Sequence, residues 1–522
     1  MSRASTQSGP DDLVEEVLRG VHVRCYRTRA TSLVDLLEQA LPAFADDVLL
    51  VDPALSRNVT YAGFAALVEG AAAELRNRGC RPGDRVAVLV RNGLEAAVAL
   101  WACARAGLVH VGLPAGAPAA RLADLVALTT PVLVLAAADL APESGLDTLD
   151  ATDVLLSRET AWQPKRPLPD EDATYALIAT SGTTGRPKAV RVTGRMVGHA
   201  AEAYVRLLGL TRQDRTAIHL SFAWVSGHIT QLAPAMRSGG SAVTMPVFSA
   251  GRLVDVAHQH GVTWLDVVPS IWELLLREEL FAQAHLPQVR LAVFGGAPAP
   301  PGTLDRVRRR MPQLRLLDVY AQSETCAPVT VLSDVEALRR PGSVGRPMPY
   351  VDLRVVGPDG LDVPRGEPGE VLVRSPTTTP DYWGDEPLPR ADGGWLRTGD
   401  LGRMDVEGYL SVSGRAVDLV IRGGVNVYPA EVERALLSTG LLADAAVLGV
   451  PSPLTGQNVA AAVVALPGAQ VDVAALRRAV RDALGAHAVP RPLRVMDELP
   501  RNRHGKVDRA LLLEQLTTDA RP

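Results

Sequence analysis

The stretch ATSGTTGRPKAV, residues 179–190, decides how the rest of the chain reads. It follows an apolar run at 175–178 that reads as a buried strand, and it leads into a short alternating segment at 190–193. A loop this rich in glycine, serine and threonine cannot pack a core. It can point backbone N–H groups and the hydroxyls of Ser181, Thr183 and Thr184 at one polyanion, with Gly182 and Gly185 allowing close approach and Lys188 adding a compact charge. Spacing separates two kinds of phosphate cradle. A Walker-type loop needs Gly, four residues, then Gly-Lys-Ser/Thr, whereas Pro187 stands five positions after Gly182 and Ala189 follows the lysine. The Walker reading fails.

Composition bounds the rest. A chain of 522 residues should split into a large part and at least one smaller one, and 47% hydrophobic content is ample for buried cores. A net charge of −4 argues against nucleic acid as a partner. Cys25, Cys80, Cys103 and Cys326 show no metal-ligand spacing, as expected of a reduced, cytoplasmic protein. Asp11, Asp12, Glu15 and Glu16 interrupt any signal-peptide core. The most apolar long stretch, 94–113, contains Glu95 and Arg105 and so reads as a core helix and strand and not a membrane span. Lysine occurs only at Lys165, Lys188 and Lys506 among 54 basic residues. Where arginine serves almost everywhere, a retained lysine points to a need for a point charge and not a planar fork.

Along the chain, residues 1–30 are polar and read as a partly disordered or loosely docked arm. Amphipathic helices at 33–40 and 61–79 then alternate with short apolar strands at 85–90 and 132–136, which argues an α/β sheet with helices on its faces. A helix at 196–208 and strands at 216–220, 263–268 and 291–294 continue the pattern. The stretch 341–374, dense in Gly and Pro, reads as a small β subdomain. The expected organisation is a large N-terminal domain, 1–414, of α/β subdomains plus that β subdomain, and a small mobile C-terminal α+β domain, 415–522.

Five further segments complete a recognisable set: SFAWVSG at 221–227, GGAP at 295–298, YAQSE at 320–324, WLRTGDLG at 395–402 and LPRNRHGKVDR at 499–509. With the stretch at 179–190 they resemble, in order, the motifs of the adenylate-forming superfamily of acyl-CoA synthetases, peptide-synthetase adenylation domains and luciferases. The pattern is nearest to acyl- or aryl-CoA synthetases. The resemblance implies that Thr180, Ser181, Gly182, Thr183, Thr184, Gly185 and Lys188 bind the phosphates of ATP, and that Gly296, Ala297 and Pro298 lie along the adenine. Tyr320 would stack on that base, with Ala321, Gln322 and Ser323 in the same turn. Glu324 and Thr184 would hold Mg2+, a hard cation suited to oxygen ligands and substrate phosphates. Asp400 would accept the ribose hydroxyls, with Arg415 beside it. Trp224, Ala223, Gly227 and Gly295 would line the acid pocket. Ala223 stands where α-amino-acid-selecting relatives have Asp, and a buried ammonium without that partner would be costly, so an α-amino acid is disfavoured. Departures are Ala189 for the usual Gly, Ala321 and Ser323 in the Tyr-Gly-x-Thr-Glu pattern, and Val417 at the hinge position.

The implied reaction joins a carboxylic acid, aryl or short to medium acyl, to AMP with release of pyrophosphate, then passes the acyl group to the thiol of CoA or of a carrier protein's phosphopantetheine. Lys506, Thr184 and Glu324 would be the catalytic groups, and Gly424 would flank the thiol channel after the small domain rotates. The alternatives are an adenylating ligase with an amine acceptor or another activated oxyanion, and an inactive nucleotide-binding partner protein. Retention of Lys188, Glu324, Asp400 and Lys506 together speaks against the last.

Overall fold

The computed structural model describes residues 12–141, 147–164, 168–181, 187–279, 281, 286–296, 302–384, 386–422, 425–501 and 507–518. Two α/β layers form the bulk of the chain. In the first, a six-stranded sheet runs in the order Pro187–Thr193, Thr174–Ser181, Val109–Gly112, Arg85–Leu89, Leu133–Ala136, Leu149–Asp150. The second, a nine-stranded sheet, has a parallel centre built from Val48–Asp52, Ser241–Thr244, Arg215–Ile218, Trp264–Val267, Leu291–Gly295 and Arg315–Tyr320. Its central strands are mostly apolar and buried along most of their length, as expected of a sheet with helices on both faces. The helix Leu33–Phe44 shows how sequence makes such a cover: the Ser32 side chain accepts from the Asp35 N–H, and Leu33, Leu36, Leu37 and Ala40 recur at helical spacing on the buried face.

The stretch 94–113 is a core helix, Leu94–Ala106, and a strand, Val109–Gly112, as its two charges suggest. Arg105 is buried but paired with Glu69 at 2.6 Å and laid over the Trp162 ring, which lets a cation sit in the core. Among the described residues no helix is long and apolar enough to cross a membrane.

Two expectations need correction. Residues 12–30 are no loose arm: Leu13–Leu18 and Val21–Tyr26 form a β-hairpin that buries Leu18, Val23, Cys25 and Tyr26. Arg29 and Arg195, both nearly fully buried, clamp it by sharing Glu16 and Glu171, at 2.6–2.9 Å. The partners lie too far apart in sequence for the charge pattern of 1–30 to show the docking. The stretch 179–190, in turn, is less a loop than expected. Its strands continue to Ser181 and resume at Pro187, with Thr180 opposite Lys188 and Ala179 opposite Ala189. β-branched Thr180 favours the extended backbone, and Pro187 opens an edge strand, where its missing N–H costs no ladder bond.

After residue 350 come two smaller sheets. One comprises Asp352–Val356, Gly369–Arg374, Arg390–Ala391, Trp395–Met404 and Leu410–Arg415. The other comprises Val420–Arg422, Val425–Val427, Leu442–Ser452, Gly456–Ala465 and Leu493–Met496, and packs on the helices Pro429–Leu437 and Val473–Leu484 around its own core of Val432, Leu436, Val447, Val463 and Leu476.

Candidate active site

The strand Trp395–Met404 buries alternate residues, so Leu396, Thr398 and Asp400 face inward together. Asp400 is 5% exposed and sits opposite Arg415, whose Nε lies 2.7 Å from Oδ1. On the other oxygen converge the Tyr320 hydroxyl at 2.5 Å and the Gln322 Nε2 at 2.6 Å, while Gln322 also donates to the Thr398 carbonyl at 3.1 Å. Burial raises the Asp400 carboxyl above the usual range, against the pull of Arg415 and the Tyr320 and Gln322 hydrogen bonds. A carboxylate offers about four acceptor positions, so three donors leave room for a hydroxyl of a ligand.

Tyr320 ends the strand Arg315–Tyr320 and opens a tight turn. In it the Gln322 N–H donates to the Thr325 hydroxyl, the Cys326 thiol donates to the Ser323 carbonyl, and Cys326 takes a positive φ of 54°. The turn presents Glu324, whose Oε1 accepts from the Tyr382 hydroxyl at 2.8 Å and whose carbonyl accepts from the Thr379 N–H at 2.8 Å. The Tyr382 ring also lies under Lys188, 5.1 Å from Nζ to the centroid, and Lys188 pairs with Glu386. One tyrosine thus links the lysine of the first stretch to the carboxylate of the fourth. Tyr382 and Thr379 were not singled out from sequence; the only local signal is the polar TTTPDYW run at 377–383, which looks like an ordinary loop.

The neighbouring strand Leu291–Gly295 ends where a Cβ on Gly295 would fall 2.4 Å from the Val319 carbonyl, so that glycine answers first to strand packing. Gly296 differs: its φ is +81°, and among the described residues a Cβ there would meet nothing nearer than Val268 Cγ1 at 3.9 Å.

The segment 221–227 is held from below by Asn92, which accepts from the Phe222 N–H at 3.1 Å and donates to the Leu220 carbonyl at 3.0 Å. Gly227 opens a π-helical turn, Ser226–Leu232, and a Cβ there would come 2.7 Å from the Ser221 and Phe222 backbone. Trp224, half-buried, packs against the cluster containing Val111, Leu113, Ala179 and Ala189, which places it beside the base of the signature hairpin. Beneath it His228 is buried, and burial pushes its imidazole down to about 4.

The structure therefore brings Tyr320, Gln322, Glu324, Asp400 and Arg415 together, with Lys188 joined through Tyr382; Ala321 and Ser323 lie in the connecting turn. Gly182, Thr183, Thr184, Gly185, Ala297, Pro298, Gly424 and Lys506, and the Ser181 side chain, lie outside the described residues. Thr180 is in place at the strand end, its carbonyl accepting from Arg121 at 3.5 Å. The donor set suits a nucleotide with Mg2+: hard carboxylate oxygens at Glu324 and Asp400, a phenol, an amide and two cations. Among the described residues no three His, Cys, Asp or Glu side chains cluster as a metal cage.

Residues 37–383 match the family model of AMP-binding enzymes, and 431–506 that of the AMP-binding enzyme C-terminal domain. The chain is 32% identical to an indoleacetate–CoA ligase of Aromatoleum aromaticum, covering 86% of this chain and 92% of that one. It is likewise 32% identical to a feruloyl-CoA synthase of Amycolatopsis, covering 86% and 92%. The o-succinylbenzoate CoA synthetase of Bacillus subtilis with its acyl-adenylate intermediate superposes with a TM-score of 0.80 at 29% identity, over 93% of this chain and 98% of that one. ATP-bound MatB of Rhodopseudomonas palustris gives 0.83 at 27% identity, over 93% and 99%. The chain belongs to the AMP-binding enzyme family and is an adenylate-forming ligase of the acyl-CoA synthetase type.

Proposed function

We propose that this ligase activates an aryl or short to medium acyl carboxylic acid with ATP and Mg2+ and transfers it to CoA. The observation that carries the site reading is the convergence of Tyr320, Gln322 and Arg415 on Asp400 beside Glu324 and Lys188. Asp400, with a free acceptor position, receives a ribose hydroxyl. Displacing the Tyr320 hydroxyl is not required for that. Lys188 exchanges Glu386, a half-exposed partner, for the phosphates. Glu324 would hold Mg2+, with Thr184 as a second oxygen, and the bound ion would supply charge neutralisation at the phosphates. Lys506 adds a positive charge between the attacking carboxylate and the α-phosphate, where two anions must meet.

The acid enters past Trp224. Its neighbour Ala223 offers no carboxylate to an α-amine, and the aryl acids named for similar ligases support an aromatic or medium acyl group. Arg415 closes the last strand of the β subdomain, and the turn Ala416–Asp418 follows it. The separate core after that turn supports a domain boundary at 414–415 and a rotation there that brings Gly424 to the thiol channel. Four buried, unpaired cysteines support a reducing, cytoplasmic setting. CoA is the favoured acceptor over a carrier protein because the similar named proteins are CoA ligases. A panel of aryl, short and medium acids, scored by pyrophosphate release with and without CoA, tests the reading. Acid-dependent release with thioester formed only when CoA is present is the expected result; no acid-dependent release would overturn it.

A further inference from the structure

We propose that the N-terminal hairpin is a positioning element of the nucleotide site, acting through the Arg19 guanidinium on the backbone of Glu324. The inference rests on the reading of Glu324 as a ligand of the metal–nucleotide complex. Leu18 pairs directly with Val21, so Arg19 and Gly20 form a two-residue turn, with φ of 52° and 77°. Positive φ at both positions defines a turn that favours Asn or Asp followed by Gly. Arginine is disfavoured there, and a residue held in such a conformation points to a compensating contact.

The contact is a fork. Arg19 Nη2 donates to the Thr378 carbonyl at 3.0 Å and Nη1 to the Thr379 carbonyl at 3.2 Å. The peptide whose carbonyl belongs to Thr378 carries its N–H on Thr379, and that N–H donates to the Glu324 carbonyl at 2.8 Å. Guanidinium, peptide and Glu324 backbone thus form one hydrogen-bonded run, in which each bond polarises the next. Arg390 grips the same segment, donating to the Thr379 carbonyl at 2.6 Å and the Pro380 carbonyl at 3.2 Å. Two cations on one carbonyl repel each other, and burial together with Arg390 pulls Arg19 down to about 10. The Thr379 hydroxyl donates to the Arg191 carbonyl at 2.7 Å, tying the segment to the signature hairpin. Three residues on, the Tyr382 hydroxyl holds the Glu324 carboxylate. Segment 378–382 therefore fixes Glu324 at both ends, and Arg19 fixes the segment.

Arg19→Gly separates positioning from folding, because glycine suits the turn while the fork is lost. Its melting temperature should be unchanged or higher. In the nucleotide-free protein, amide hydrogen exchange at Thr379 should speed up. The Mg2+ concentration giving half-maximal ATP binding, followed by calorimetry, should rise about tenfold, as for loss of a group supporting a metal ligand, with the KM for the acid unchanged. Arg19→Lys, which keeps the charge without the fork, should fall between. Unchanged Thr379 exchange and unchanged Mg2+ dependence in Arg19→Gly would overturn the proposal, as would a lowered melting temperature with every binding constant intact. Glu324→Gln runs in parallel: if it leaves the Mg2+ dependence of binding unchanged, the assignment of Glu324 falls. If it shifts that dependence and Arg19→Gly does not, only the hairpin's role falls.

Discussion

Lys506 and Trp224 carry opposite kinds of demand at the scale of single residues. The first is one of three lysines in an arginine-rich chain, and the proposed role needs a point charge between two oxyanions. Lys506→Ala should cut adenylate formation by about 10² to 10³ while leaving acyl transfer from a supplied acyl adenylate nearly intact. Lys506→Arg should also be poor, since a planar fork cannot sit between the two anions. Comparing both half-reactions checks this, and equal loss in each would refute it. Trp224 instead supplies shape. Trp224→Ala should favour longer acids by one to two orders of magnitude in relative kcat/KM, since each buried methylene is worth about 0.8 kcal/mol. Were it simply core, truncation would cost about 3 to 5 kcal/mol of stability with an unaltered chain-length profile. Its half-buried position beside the signature hairpin favours the pocket wall.

Elements are held in place by contacts that join distant parts of the chain. Arg195, at the start of the helix Gly194–Leu208, holds Glu16, Glu171 and Asp172 at once, and its hydrogen bond keeps the Asp172 carboxyl below its usual range against partial burial. Arg195→Ala leaves three carboxylates without that cation and should cost about 3 to 5 kcal/mol, read from the urea midpoint. Adding Glu16→Gln should recover part of it, a coupling of about 0.5 to 3 kcal/mol. A purely additive double mutant would show that the hairpin docks through its apolar residues alone. Likewise Gly227→Ala must push the Ser221–Phe222 backbone aside, and overpacking of about 1 to 3 kcal/mol is expected, with a raised KM for the acid.

Across the whole molecule, burial sets the pH response. His110 is pushed down to about 3 by burial and by nearby His228, and His219 and His228 to about 4, so all three are neutral in the folded state. The unfolded chain takes up these protons near 6.5, so their contribution is complete above that pH and is lost as pH falls toward 4. Asp266 acts in the other direction: burial raises it to about 7, against a hydrogen bond from Thr230, so stability falls as pH rises from about 4 to 7. Each group contributes a slope of about 1.4 kcal/mol per pH unit inside its window. His228→Gln should therefore flatten the stability–pH curve between 4 and 6.5, and Asp266→Asn should steepen it. Slopes changing in the same direction in both variants would contradict the assignment.

The sequence by itself determined what adjacent residues can encode. Helical and period-two apolar spacing pointed to the fold class, and the resemblance of the separated motifs to the adenylate-forming superfamily implied the reaction type and grouped Asp400, Tyr320, Gln322 and Glu324. Backbone conformation and face are local properties, and a few neighbours decide them. Only the tertiary structure decided what those residues touch. Tyr382 beneath Lys188 and against Glu324, Asn92 under the 221–227 segment, and a docked hairpin where a loose arm was expected all depend on partners far apart along the chain. A carboxylate shows its charge in sequence, but the cation that neutralises it is chosen by the folded path.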